Sequence, residues 1–390
     1  VSNLEKKIDI GFLSWNLCSI VSQLMYYMKN KTRIIYIKPA NSSFIRGDQQ
    51  ILEKEYDVKP FLMLQNNSKL IFGLKIIELF FYLLSNAFRR NVIFVSWFAD
   101  YHSAIMALVG KLTGKKSIIL IGGQEAVCYP ELKKGVYRKK FRGFCVKFAL
   151  RNTSLIIANH KSLIYHENHY YNHEHPHIDG IQHYVSDLKT RTEIVYNGID
   201  SSLFERTMSI QKVDNLILTV GTMHQEGDFY NKGYDLFIQA AARNPELKFV
   251  LIGLNPTYLN WTEENYHPSQ IPNLQIIPSF CPQEILNQKY NEAKVFVQAS
   301  ITEGMPNTLS EAMLLECIPV GSNINGIPDA IGDTGVVIKQ RKVEELEKGI
   351  LEALKMNSGK AARQRVMDMF TISLREEKIL KLVGEVVTSK

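Results

Sequence analysis

Cysteine is scarce and scattered: Cys18, Cys128, Cys145, Cys281 and Cys317 are all there is in 390 residues. An odd number with neither a CxxC pair nor metal-ligand spacing excludes a disulfide framework and a zinc ribbon, and predicts buried, reduced thiols in a cytosol. Long apolar runs are scarce too. The strongest, residues 70–88, is interrupted by Lys75 and Glu78 and closed by Arg89-Arg90, which falls short of the ~20 mostly apolar residues expected of a membrane span. Two readings of it stand: a helix packed on a sheet, or a helix lying at a membrane interface. No cleavable leader is expected, because residues 1–7 are polar and 8–13 read as an opening strand. Acidic charge is thin in the first half. Residues 1–197 hold 27 Lys and Arg against 15 Asp and Glu, whereas the remainder hold 19 and 24. The first half is therefore set to face something acidic; no motif supports nucleic acid as that partner.

What is present is an ordinary globular composition, 45% apolar and 22% charged, in a chain long enough for two or more domains with their own cores. Short apolar runs alternate with helical spacing. The runs at 33–37, 91–96, 117–121 and 154–159, and later at 216–220, 248–253, 274–278 and 295–297, read as buried strands. Strands alternating with helices predict an α/β fold built on parallel sheets. Between the two series, Asn197-Gly198 supplies a turn that tolerates positive φ, as a chain crossing between domains needs.

The chain is organised around residues 301–313. Gly304 lets backbone approach a ligand, Pro306 stiffens the loop, and Asn307 or Thr308 can cap a helix whose first amides remain able to donate to an anion. Glu303 in the loop and Glu311 about one turn into the helix flank that anion site. A carboxylate beside phosphate is repelled unless it has other work, and accepting hydrogen bonds from sugar hydroxyls is such work. The stretch asks for phosphates in the middle and hydroxyl-rich groups at both ends, as in a nucleotide sugar.

Glu303-Gly304-Met305-Pro306-Asn307 followed by Glu311-Ala312-Met313 resembles the Glu-x7-Glu signature of the retaining family 4 glycosyltransferases, with their two-domain GT-B fold. The resemblance implies two facing, Rossmann-like doubly wound domains: 1–195 for the acceptor, 196–370 for the donor, and a helix within 371–390 crossing back to the first. It places the donor sugar on Glu303 and the ribose on Glu311. Asn197-Gly198-Ile199-Asp200 is similar to the family's segment at entry to the donor domain, and Asn325-Gly326-Ile327-Pro328-Asp329 matches further on. The family's pyrophosphate contacts fall at Gly221 and Lys232, with Thr222 where an arginine is usual, so Lys232 is expected to carry more of the leaving-group charge. Phe280 falls near the nucleobase. The glycine pair usual after the first strand is reduced to Gly11, before Ser14-Trp15-Asn16.

In the first domain, Gly122-Gly123-Gln124-Glu125 follows a strand. Family members place a histidine near here; this chain has Gln124 and Glu125, and Glu125 is read either as a base or orienter for an acceptor hydroxyl or as a helix-start residue. Gly123, Trp97, Asp100 and His102 share that strand-end position, where open α/β sheets bind ligands, although His102 could equally cap a helix. Residues 133–151 mix basic and aromatic side chains at helical spacing, suiting an anionic headgroup or phosphorylated acceptor, or simply a solvated face. His173, His175 and His177 could bind zinc if extended, but no cysteine or orienting residues accompany them; an exposed, mobile loop and no functional metal are expected. The implied activity is transfer of a sugar from a nucleotide-diphosphate sugar to a glycan or lipid-linked acceptor hydroxyl, with retention, without metal or cofactor, in the cytoplasm and possibly at the inner face of a membrane. The alternatives are a nucleotide-sugar epimerase or hydrolase on the same fold, and a non-catalytic binding subunit.

Overall fold

The computed structural model describes residues 31–63, 68–278 and 281–389. The expected opening strand and helix, Gly11, Ser14-Trp15-Asn16, Cys18, Ser279 and Phe280 lie outside these residues.

The chain forms two lobes. In the first, β1 (Arg33–Lys38), α1 (Ser43–Glu53), β2 (Asp57–Leu62), α2 (Lys69–Ala87), β3 (Val92–Trp97), α3 (Tyr101–Thr113), β4 (Ser117–Ile121), α4 (Lys140–Asn152) and β5 (Leu155–Ala158) alternate. A small hairpin, β6 (His166–Asn168) and β7 (His177–Asp179), precedes β8 (Thr192–Ile194). The parallel sheet runs β2-β1-β3-β4-β5-β8. In the second lobe, β9 (Val213–Val220), α5 (Glu226–Asn231), α6 (Tyr234–Arg243), β10 (Lys248–Leu254), α7 (Leu259–Tyr266), β11 (Leu274–Pro278), α8 (Gln283–Glu292), β12 (Ala293–Gln298), α9 (Asn307–Leu314), β13 (Ile318–Ser322), α10 (Ile327–Ile331), β14 (Val336–Ile338), α11 (Val343–Leu354) and α12 (Gly359–Met369) build a second parallel sheet, β11-β10-β9-β12-β13-β14. The two orders have the same form: each reverses direction once, at β1/β3 and at β9/β12.

Helices cover both faces of each sheet, so the central strands are apolar along their length: β3 and β4 are buried at every position, as parallel strands require. The second-lobe core is one cluster around Phe237, Phe249 and Phe296. The first lobe has a core on each face of its sheet. One of these is finished from the far end of the chain: α13 (Ile372–Thr388) leaves the second lobe and inserts Ile379, Leu382, Val383 and Val386 beside Ile34, Val95 and Ile157. Arg375, 4% exposed in its side chain, forms a two-point pair with Asp48 of α1 at 2.6 and 2.7 Å and donates to the carbonyls of Val195 and Tyr196. Trp97 at the end of β3 donates to the same Asp48. The expected α/β fold of two facing doubly wound domains with a returning helix is the observed one.

Two expectations change. The 160–183 segment is a clamp and not a mobile loop: Asn168 and Asp179 are fully buried. Asn168 donates to the carbonyl of Ile301 in the other lobe, and Tyr170 packs into the second-lobe core. Its outer side chains, His173 and His175 at the tip and Lys161, Tyr165 and His169 along its length, are exposed. Of the described cysteines, Cys317 is buried, whereas Cys128, Cys145 and Cys281 are half-exposed.

Candidate active site

The strand ends of the two sheets face each other, and a cavity of about 320 Å³ lies between them. It sits at both points of strand-order reversal, where diverging loops leave room for a ligand. Its second-lobe wall is Gly221, Thr222, Lys232 and residues 303–308; its first-lobe wall includes Trp97, Phe98, Gly122, Asn159 and Asn197.

The second-lobe wall begins where β12 ends. The loop 299–306 turns into α9, whose N-cap is Pro306 with no side chain capping it. Asn307 and Thr308 were candidates for that cap, but both lie inside the helix. Asn307 accepts from Asn197 across the cleft, and Thr308 bonds Gln298. The first amides of α9 are therefore the anion-facing end of a helix dipole. Lys232, just after α5, places Nζ 2.5 Å from Glu303 Oε1, which also accepts from Ser300. Glycine at 221 makes room for this: a Cβ there would meet the Tyr234 hydroxyl at 2.7 Å and Lys232 Cδ at 3.4 Å. Glu303 is held by its backbone as well, its N–H donating to Asn325 Oδ1 at 2.9 Å.

Gly304 is small for a reason other than ligand approach. A Cβ on it would lie 2.5 Å from the Gly122 carbonyl oxygen and 2.7 Å from Asn159 Oδ1, so it is a point where the backbones of the two lobes come into close contact. Met305, next to it, is buried, and its carbonyl accepts from Asn197. Glu311 lies one turn deeper and does not line the cavity. Tyr290 donates to its Oε2 at 3.1 Å, and burial pushes its carboxyl up to about 7 against that hydrogen bond.

The first-lobe candidates fare differently. Glu125 is fully buried with its carboxylate turned back on its own loop, accepting from the amides of Ala99, Gly122 and Gly123 at 3.1–3.3 Å. Burial pushes it up to about 7 although those amides favour the ion. It shapes the Gly122-Gly123 exit, where φ of Gly123 is +149°, and in this geometry it cannot reach an acceptor hydroxyl. Gln124 accepts from the Gly135 amide. His102 is buried with Nε2 on the Trp97 carbonyl, and burial lowers its pKa. Asp100 caps α3 and takes a two-point pair from Arg142. These four hold the scaffold.

Residues that spacing did not single out do line the cleft. Asn159 and Asn197 each carry a buried Oδ1 with no hydrogen-bond partner among the described residues, an expensive state that a ligand hydroxyl would relieve. Behind them the lobes are pinned. Asp329 takes His160 at 3.1 Å and Lys161 at 2.8 Å; Asn325 donates to Ser162; Lys134 pairs with Asp228 at 2.9 Å. The Asn-Gly-Ile-Pro-Asp run pointed to Asn325 and Asp329, but nothing in the sequence pairs Asn159 with Gly304. Among the described residues, no group of three or more His, Cys, Asp or Glu is placed to hold a metal.

Two facing Rossmann-like lobes, a cleft at both switch points and a terminal helix returning to the first lobe define the GT-B class of fold. Residues 205–367, within the second lobe, match the family model "Glycosyl transferases group 1". Sucrose-phosphate synthase from Thermosynechococcus elongatus superposes with a TM-score of 0.69 at 13% identity, over 92% of this chain and 100% of that one. HepE from Anabaena, in complex with UDP and glucose, gives 0.65 at 13% identity over 91% and 100%. At such identities the likeness speaks for the fold. O-antigen chain mannosyltransferase B of Escherichia coli is 33% identical over 79 residues, 20% of this chain, and the match spans about a fifth (21%) of that relative.

Proposed function

We propose that this protein transfers a sugar from a nucleotide-diphosphate sugar to an acceptor hydroxyl, on a glycan or lipid-linked saccharide, with retention at the anomeric carbon and without a metal ion. The observation that carries the reading is one cleft wall on which Lys232, Glu303 and the uncapped start of α9 converge. A diphosphate seated at the α9 tip meets helix amides and the Lys232 ammonium together, the fixed charges that a departing phosphate needs. Lys232 then exchanges part of its pairing with Glu303 for phosphate. Glu303, relieved of that partner, accepts from donor-sugar hydroxyls and faces the positive charge that develops at the anomeric carbon.

Retention follows from the same arrangement if the leaving phosphate takes the acceptor proton on the face it departs from, which needs no protein nucleophile. The first-lobe wall fits that scheme, since its cleft-lining side chains are aromatic or amide and Glu125 is turned away. Asn159 and Asn197 are then the groups that orient the acceptor or sugar hydroxyls. HepE, a structural neighbour, is seen with UDP and glucose, in keeping with a nucleotide-sugar donor here.

The test is a panel of nucleoside diphosphates and their sugars scored by thermal shift, then product analysis with the donor that binds. A donor at about a hundred times its dissociation constant stabilises the fold by ~2.7 kcal/mol. Transfer to an added saccharide acceptor, with the anomeric configuration of the product read by NMR, supports the reading. Donor turnover that proceeds equally without acceptor would replace transferase by hydrolase or epimerase, and an inverted product would remove the mechanism.

A further inference from the structure

α2 is long and apolar enough to cross a membrane by length and composition, yet only 22% of its apolar window is buried in the protein. Its inner stripe, Leu79, Leu83 and Ala87, is packed into the first lobe. The opposite stripe is not. Leu70, Leu74, Ile77, Phe81 and Phe88 recur at helical spacing and stand outward, Leu70 at 74% and Phe81 at 61% exposure. A soluble helix that is apolar on all sides is normally enclosed; this one is covered on one side only.

The surface continues onto α4. Phe72, Tyr101 and Phe141 form a chain of ring contacts across α2, α3 and α4, with centroids 5.8 and 6.0 Å apart. They border a groove of about 620 Å³ between the three helices, distinct from the donor cleft. Beyond it Phe141 and Phe144 are 69% and 65% exposed. Around this apolar band positive charge is in excess. Residues 68–152 contain fifteen Lys and Arg and four Asp and Glu; Glu78 pairs with Lys75, Asp100 with Arg142, and from outside the segment Asp228 with Lys134 and Asp187 with Arg151, while Glu125 is buried and Glu131 accepts from Tyr171. Lys69, Arg89, Arg90, Lys139 and Lys140 are exposed at its margins.

We infer that the α2–α4 face of the first lobe is a docking surface for an anionic lipid bilayer, with α2 lying in the interface and Phe141 and Phe144 inserted beside it. Charge selects this occupant over a second copy of the chain, because two such faces brought together would set strong positive charge against itself. An anionic bilayer satisfies both halves of the surface: headgroups for the lysines and arginines, acyl chains for the phenylalanines and leucines. The mid-helix pair Lys75 and Glu78, and the buried inner stripe, fix the helix along the surface and not across it. This inference does not depend on the sugar-transfer reading.

Flotation of the full chain with vesicles tests it, using phosphatidylcholine alone against equal parts of phosphatidylcholine and phosphatidylglycerol. The protein should float with the mixed vesicles and weakly or not at all with the neutral ones, and added salt should release it. Leu74→Glu with Ile77→Glu and Phe81→Glu should lower vesicle affinity at least about a hundredfold, and Lys139→Ala and Lys140→Ala about fivefold each, the worth of ~1 kcal/mol per basic residue near the surface. All of these side chains are exposed, so thermal melts should stay at the parent value, and Lys232→Ala should float like the parent. Failure of the parent to bind mixed vesicles at low salt would overturn the proposal, as would undiminished binding by the triple variant. So would a dimeric parent that the triple variant makes monomeric, since the face would then be covered by its own copy.

Discussion

The two lobes share a sheet form and a position at the cleft, yet their cleft walls are made of different chemistry. The second lobe presents a carboxylate and helix amides from one loop-and-helix unit with an ammonium from a second; the first presents three aromatic rings, a glycine and two carboxamides drawn from separate strand ends. Charge on the donor side can stabilise a leaving group that is the same in every turnover. Neutral groups on the opposite side can shape a pocket for an acceptor without competing for the phosphates. In the proposed transfer, one lobe would hold the electrostatics of the reaction and the other its geometry.

That division can be broken or sharpened by mutation. The largest expected effect is on the scaffold that ties the lobes: Arg375→Ala leaves Asp48 buried and unpaired, and should cost about 3–5 kcal/mol of stability in chemical denaturation, with first-lobe probes unfolding first. Lys232→Ala should slow turnover about a hundredfold, roughly 2.7 kcal/mol, with little change in melting temperature. Near-parent turnover would end the assignment of leaving-group charge to this lobe. Glu311→Gln carries a pH signature. Burial holds the Glu311 carboxyl at about 7, above its ordinary 4.5, so the folded protein keeps a proton that the unfolded chain has released. Its contribution to stability is present below pH 4.5 and lost as pH rises through 7. The glutamine variant should therefore gain on the parent by about 2 kcal/mol between pH 5 and 8; parallel stability curves would remove the shift. The smallest effect belongs to the geometric side. Asn159→Ala removes a neutral hydrogen-bonding group worth ~1 kcal/mol, and should raise KM for acceptor several-fold while leaving donor affinity unchanged.

Legibility in the sequence followed the same line. The donor wall could be read because its parts are local: Glu303 to Thr308 and Glu311 lie within nine residues, and Gly221 with Lys232 within twelve. The first-lobe wall is assembled from residues far apart in the chain, and the residues that looked reactive there, His102, Gln124 and Glu125, proved to be turned into the scaffold. A single sequence shows that a carboxylate follows a glycine pair. It does not show that two amides of the same loop and one from the loop after β3 have claimed it. Elements left unread were also local. Residues 43–62 hold α1 and the edge strand β2, whose irregular burial and Pro60 make a weak pattern, since edge strands tolerate proline and one wet side. Residues 70–88 left two readings open, packed on the sheet or lying at an interface, because apolar periodicity on two sides of a helix leaves its orientation open.

The returning helix carries a consequence for how the protein is made. Ile379, Leu382, Val383 and Val386 fill one face of the first lobe, so that lobe is translated first and completed last. Until the final turn of α13 has left the ribosome, Ile34, Val95 and Ile157 lack their cover, while the intervening lobe already has every strand it needs. Biogenesis should therefore run out of order, the second lobe closing before the first. A stall or cleavage near residue 370 would release a chain with a sound second half and an aggregation-prone first.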